Sequence, residues 1–344
     1  MSYGVGIVGC GLVGRLRARA VAQVRELHLA AVSDPEEEAR NTVSAGQRFE
    51  AYQELLALDD VQVVIVSTPP PYHEEIVVAA LQAGKHVLCE KPLAVTEDSC
   101  RRMVDLAENS ERILAIGFNH RYYPCVKELK KAMAEHRVGE VRHVRALCGH
   151  QGISEFRADW MYKSEFSGGG AMMDIGLHLT DLVGHLFGRV DRVFGTASNE
   201  VWQVDGSEDH ASATMITERG IPVAYHATWA EWKGYRLVLE VYGQEAVHRA
   251  FYAPMVNMHA TRGSRRGTWN LHPWVNLREK FVGWETTAVI SFTDELEDLV
   301  GALKGESWGS LASGEDGLRA VEVAGAVYQS SKAGEVVHLI GPTS

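Results

Sequence analysis

The segment Gly9-Cys10-Gly11-Leu12-Val13-Gly14 constrains this chain more than any other. It is a GxGxxG that directly follows an apolar run, residues 5–8, and opens a helical stretch over residues 12–24. Glycines there permit a tight turn and a close backbone approach, and the helix N-terminus then faces a diphosphate. The motif alone is weak; its place between strand and helix gives it weight. Asp34 closes the next apolar run, residues 27–32, and lies 20 residues after Gly14. A carboxylate at that spacing accepts hydrogen bonds from an adenosine ribose diol. Gly9, Gly11, Leu12, Val13, Gly14 and Asp34 are therefore the first candidates for a dinucleotide site. The Asp34 charge would repel a 2′-phosphate, and Pro35-Glu36-Glu37-Glu38 brings no Arg or Lys to offset it, so NAD is favoured over NADP.

The alternation continues. Apolar runs at 61–66, 86–89 and 113–118 are separated by helical stretches at 72–83 and 96–108. Gly84 ends the first of these helices, and Thr96 caps the second with Glu97 and Asp98 in its positive first turn. Strands apolar on both faces and separated by helices belong to a parallel sheet covered on both sides. Residues 1–121 are thus expected to form a doubly wound α/β domain of Rossmann type. Beyond about residue 121 the period changes: residues 235–242 alternate, and 141–148, 192–201, 210–217 and 223–230 are further strands with few helices between them. Helix returns at 292–303 and 315–331, and all eight tryptophans lie between Trp160 and Trp308. Residues 122–344 are expected to form an α+β domain with a large, mostly antiparallel open sheet, serving substrate binding and oligomerisation.

Charge narrows the function classes. The chain has 344 residues, with 34 Lys+Arg against 45 Asp+Glu and a net charge of −11, which argues against nucleic acid and anionic membranes as partners. No apolar run reaches the length of a membrane span. The five cysteines, Cys10, Cys89, Cys100, Cys125 and Cys148, contain no CxxC pair and fit buried thiols in a reducing cytoplasm. Fifteen histidines form no HExxH or His/Cys cluster, so no metal is expected.

Three further segments follow one another at the ends of successive strands: Ser67-Thr68-Pro69-Pro70-Pro71-Tyr72-His73, Glu90-Lys91-Pro92 and Gly117-Phe118-Asn119-His120-Arg121-Tyr122-Tyr123-Pro124. Open parallel sheets bind ligands beyond the carboxyl ends of their strands, which is where Thr68 and Lys91 fall. Pro92 is a candidate cis proline. Farther on, Asp174 and His178 are four apart and share a helix face, which extends to Asp181 and His185. The neighbouring stripe, Ile175, Leu179, Leu182 and Leu186, anchors that helix on the core, whereas the polar stripe by itself is as much a solvated face as a site.

These segments, with Gly168-Gly169-Gly170-Ala171-Met172-Met173-Asp174-Ile175-Gly176-Leu177-His178, resemble the signature of the glucose–fructose oxidoreductase / inositol dehydrogenase (Gfo/Idh/MocA) family over nearly the whole chain. His120 departs from the usual Arg and is given no role. The resemblance implies a catalytic set of Lys91, Asp174 and His178. It adds Ser67, Thr68, Pro69, His73, Glu90, Lys91, Asn119 and Arg121 to the cofactor contacts. His178 would accept a hydroxyl proton, Asp174 would bind a neighbouring hydroxyl and orient His178, and Lys91 would hold the reacting oxygen. Lys91, Arg121, Asp174 and His178 would bind substrate, with Trp160 offering a face to the C–H side of a ring.

The implied activity is oxidation of a ring secondary hydroxyl of a sugar or cyclitol, with NAD as hydride acceptor, by a cytoplasmic homodimer or homotetramer. The same resemblance allows a keto-sugar reductase or a glycoside-processing enzyme that oxidises C3, and a non-catalytic sugar or dinucleotide sensor is the rival of another class. His150, Glu155, Arg157 and Lys163 are weaker candidates for substrate contact. The loop Arg262-Gly263-Ser264-Arg265-Arg266 is a local basic cluster suited to a surface loop, a subunit contact or an anionic substituent.

Overall fold

The computed structural model describes residues 2–152 and 159–339. They pack as two compact units. One comprises the chain up to Tyr122 together with Phe281–Leu318, and the other comprises Tyr123–Lys280 together with the residues from Arg319 on.

In the first unit, β1 (Tyr3–Val8), β2 (Leu27–Ser33), β3 (Gln47–Phe49), β4 (Val63–Val66), β5 (His86–Cys89) and β6 (Leu114–Ile116) are all parallel to their neighbours, in the order β3-β2-β1-β4-β5-β6. A two-residue strand, Ala312–Ser313, adds antiparallel to the β6 edge. This is the doubly wound order, and its direction reverses between β1 and β4, the point where such sheets bind ligands. Val5, Ile7 and every residue of β4 are fully buried, which explains runs apolar on both faces. The helix after the glycine loop, Leu12–Val21, stops three residues short of the expected 24. Thr96 caps Glu97–Asn109 as expected, its side chain accepting from Ser99 N at 3.3 Å.

The expected boundary at 121/122 needs correcting for residues 281–318. The helix Glu285–Leu303 turns Val289, Phe292, Leu296, Leu299 and Val300 into the core that also holds Leu16, Ala20 and Val21 of the glycine-loop helix. Periodicity identifies the buried face of a helix but not the core that receives it.

The second unit is built on β7 (Val141–His150), β8 (Val190–Ser198), β9 (His210–Thr217), β10 (Pro222–Thr228), β11 (Tyr235–Gly243), β12 (Ala246–Tyr252), β13 (Val256–Thr261) and β14 (Thr268–Asn270). Their order is β14-β13-β12-β11-β7-β10-β9-β8, with Val337–His338 beyond β8. Neighbours are antiparallel except β7 and β10, which run parallel. In β11 Leu237, Leu239 and Val241 are buried, the period of two seen in the sequence. The opposite face leaves Arg145, Phe194, Thr214, Ala224 and Arg236 exposed. Strands β12 to β14 and the helix Pro273–Val282, which buries no residue, were not legible as elements. Among the described residues no helix is long and apolar enough to cross a membrane.

Candidate active site

The cofactor end lies in the first unit, at the switch point. Gly9 has φ +96°, a conformation L side chains rarely adopt. A Cβ there would stand 2.7 Å from the Ser67 carbonyl and 2.8 Å from Thr68 N, so the glycine loop and the end of β4 are pressed backbone against backbone. A Cβ on Gly14 would stand 1.9 Å from Gly9 O, which keeps the helix close to its own loop. Gly11 differs: a Cβ there would meet nothing within 4 Å, so the glycine leaves open space before the helix N-terminus. Leu12 and Val13 present exposed apolar surface at the same helix head. Among the described residues, the buried hydroxyls Ser67 Oγ and Thr68 Oγ1 have no hydrogen-bond partner.

Asp34 is fixed from both sides, its Oδ2 accepting from Cys10 N at 2.7 Å and its Oδ1 from Glu36 N at 2.9 Å. Burial and the Asp34 charge push the Cys10 thiol up to about 12, so it packs as a neutral group. A basic residue does reach this corner, which the sequence of the turn did not suggest. Arg40 Nη1 donates to the carbonyls of Asp34 at 2.5 Å and Pro35 at 3.0 Å, so its charge is directed to the backbone. An open helix N-terminus, a fixed carboxylate and unsatisfied hydroxyls at one switch point fit a nicotinamide dinucleotide. Asp34→Ala is expected to weaken NAD+ binding by about 10-fold or more and to narrow the gap to NADP+, read by fluorescence titration of both nucleotides.

The Lys91–Pro92 bond is cis, and Lys91 is half-buried at the end of β5. His73 departs from its expected part as a cofactor contact. It is fully buried, with Nδ1 2.9 Å from Pro92 O and Nε2 2.8 Å from Thr68 O, so it ties the two loops together and has no surface left for a ligand. Burial holds its pKa below the usual imidazole value. Glu90 accepts from Arg17 Nε at 2.6 Å, and the fully buried Arg17 also pairs with the fully buried Glu295. The Arg17 guanidinium lies 3.8 Å over the Phe292 ring. Asn119 Nδ2 donates to Ser291 Oγ at 2.9 Å, and Arg121 pairs with Asp316 at 3.3 Å.

Asp174 and His178 lie in the second unit, where the expected single helix is divided. Met172–Gly176 is a π-turn leading into the α-helix Leu177–Phe187, and π-turns occur often at functional sites. The glycines before it are needed for closeness: a Cβ on Gly170 would stand 1.9 Å from Glu208 O. Glu208 clamps the turn, accepting from Gly170 N at 2.8 Å, Met172 N at 2.7 Å and Tyr328 OH at 2.9 Å. Burial raises its pKa, against the pull of these donors.

The polar stripe is not a solvated face. Asp174, His178 and Asp181 are all buried, as are Ile175, Leu179, Leu182 and Leu186, and only His185 reaches the half-buried zone. Asp174 Oδ2 receives Trp229 Nε1 at 3.0 Å and His150 Nε2 at 3.2 Å. Trp160 is half-buried in the turn Asp159–Tyr162, and Lys163 beside it is exposed. Glu155 and Arg157 lie outside the described residues. Arg262, Arg265 and Arg266 are exposed between β13 and β14. Among the described residues no group of three or more His, Cys, Asp or Glu could hold a metal ion.

Sequence reasoning missed Arg17, Glu295, Glu208 and Trp229. Arg17, three positions after Gly14, reads as an ordinary helix-surface cation, and Trp229 as one aromatic among eight. No local pattern separates them from such residues.

The cofactor end by itself defines a class, the proteins that bind a nicotinamide dinucleotide on a Rossmann domain. Comparison with known proteins narrows it. Residues 3–118 match the model described as "Oxidoreductase family, NAD-binding Rossmann fold", and residues 126–249 match the Gfo/Idh/MocA C-terminal domain. The chain belongs to the Gfo/Idh/MocA family. It is 24% identical to inositol 2-dehydrogenase of Rhizobium meliloti over 96% of this chain and 97% of that protein. It is 33% identical to D-glucoside 3-dehydrogenase of Escherichia coli over 54% of each, so it spans about half the length of that relative. A solved structure of levoglucosan dehydrogenase with NADH has the same fold, with a TM-score of 0.85 and 22% identity over 99% of this chain and 100% of that one.

Proposed function

We propose that this protein oxidises a ring secondary hydroxyl of a sugar or cyclitol, an inositol or a glucose derivative, with NAD as the acceptor. The observation that carries this reading is the burial of Asp174 and His178 one turn apart. Sinking a carboxylate and an imidazole into a core costs stability, and the apolar stripe of the same helix would hold it without them. The names of the relatives, an inositol dehydrogenase and a glucoside dehydrogenase, support the substrate class.

NAD supplies the hydride acceptor when bound. Gly9, Gly11, Leu12, Val13 and Gly14 would carry its diphosphate on backbone N–H groups, Asp34 its ribose diol, and Ser67 and Thr68 further hydroxyl contacts. His178 takes the proton from the reacting hydroxyl, since an imidazole nitrogen can accept a proton and later return it. Lys91 stabilises the developing negative charge on that oxygen, and Asp174 accepts a hydrogen bond from an adjacent hydroxyl. Acceptors and a cation of this kind match a polyol better than an apolar alcohol.

The test is NADH formation from NAD+ across inositols, hexoses, methyl glycosides and sugar phosphates, with NADP+ in parallel. Turnover of one group with NAD+ is the expected result. Silence throughout with NAD+ binding intact would overturn the reading in favour of a reductase, a redox-cycling glycosidase or a sensor.

A homo-oligomer belongs to the same proposal. The outer face of the large sheet carries Phe194, Leu147 and Val238 among Arg145, Arg236 and Glu240, and a second copy would cover it. Light scattering is expected to give a dimer or tetramer at micromolar concentration; a monomer would remove this part.

A further inference from the structure

The parallel pair β7–β10 sits inside an otherwise antiparallel sheet, and it has a local consequence. In a parallel pair both strands leave the sheet at the same end. Their register matches Gly149 with Thr228, so His150 and Trp229, the residues just beyond, emerge side by side. Both reach the same atom, Asp174 Oδ2, Trp229 Nε1 at 3.0 Å and His150 Nε2 at 3.2 Å.

Each donor is itself held. Trp229 is 1% exposed; its N–H donates to Asp209 O at 2.7 Å, its carbonyl accepts from Trp202 Nε1 at 2.8 Å, and the Tyr162 ring meets it edge-on at 5.5 Å. His150 is 3% exposed, and its Nδ1 faces the Gly152 N–H at 3.1 Å. A backbone N–H only donates, so Nδ1 is the acceptor and the neutral ring carries its proton on Nε2, directed at Asp174.

We propose that Trp229 and His150 are positioning residues that orient the Asp174 carboxylate by donating two neutral N–H bonds to its Oδ2. This rests on the reading of Asp174 as a residue of the reaction. Two converging donors hold the carboxylate plane against rotation, and neutral donors do so without cancelling the charge that a substrate hydroxyl would meet. An Arg or Lys at either place would neutralise it. The device is fitted to a carboxylate that must stay buried, oriented and anionic.

Two readouts test it, one of them independent of substrate. In 15N-labelled protein the Trp229 indole resonance, identified by its loss in Trp229→Phe, is expected to move on Asp174→Asn while the other indoles stay; an unmoved resonance overturns the proposal. With a substrate from the panel, Trp229→Phe and His150→Leu are each expected to lower kcat by about 10- to 100-fold with NAD+ affinity unchanged, the range for losing a hydrogen bond to a charged group. The double variant should lose less than the product of the two, because both serve one oxygen. His150→Gln, which returns an amide N–H near the position of Nε2, should recover most of the rate. Wild-type kcat in Trp229→Phe would overturn the proposal. Wild-type kcat in Asp174→Asn, with the indole resonance still displaced, would instead retire the role of Asp174 and leave the contact standing.

Discussion

His178→Ala is expected to lower NAD-linked turnover by about 100-fold or more while NAD+ binding persists, the usual scale for losing a general base. The two effects separate because the proposed nucleotide contacts lie on the first unit, at the glycine loop, Asp34 and the end of β4, whereas His178 lies on the Leu177–Phe187 helix of the second. Stability should change little by comparison, since His178 is flanked by the fully buried Leu177 and Leu179, which keep the helix on its core. The rate is followed by NADH absorbance and the binding by fluorescence titration of the same preparation. Near-normal turnover in the variant would reject the base assignment.

Arg17→Met should have the largest effect on stability, about 3–5 kcal/mol, because removing one partner strands buried charge on the others. Arg17 and Glu295 have no exposed surface, and Glu90 shares the same guanidinium. Burial pushes Glu295 up to about 7; the Glu90 charge adds to that, and Arg17 opposes it. A carboxyl raised in the folded state keeps a proton that the unfolded chain has already released. Its contribution therefore falls as pH rises from about 4.5 to about 7. Without Arg17 the carboxyl moves higher still, so the deficit of Arg17→Met should be greater at pH 8 than at pH 5. Glu295→Gln should flatten the wild-type slope and relieve part of the Arg17→Met deficit in the double variant. Urea unfolding at the two pH values measures all of this; a deficit that is equal at both would refute the stranded-charge account.

The doubly wound sheet was legible because each of its signals is local. Runs apolar on both faces mark β1, β4 and β5, Gly9 and Gly14 mark a turn that excludes a side chain at either place, and Asp34 is marked by its distance from that turn. Asp174 and His178 were legible as a pair from their spacing, and their significance came from the likeness to a family signature. Their burial did not show, since a polar stripe on a helix reads the same whether water or protein lies over it. Nor did the π-turn at Met172–Gly176, which depends on Glu208 holding Gly170 and Met172 from 36 to 38 residues away in sequence.

What the sequence determined by itself was therefore a dinucleotide loop, two unlike sheets and a short set of candidate side chains. Tertiary structure decided which residues those side chains lean on. Glu295 reaches Arg17 from 278 positions away, Trp229 reaches Asp174 from 55, and residues 281–318 return to the first core after the whole of the large sheet has intervened. The physical reason is that period, capping and turn chemistry act over one or two turns of chain. The partner of a buried charge is chosen by whichever elements pack together, and no local pattern records that choice.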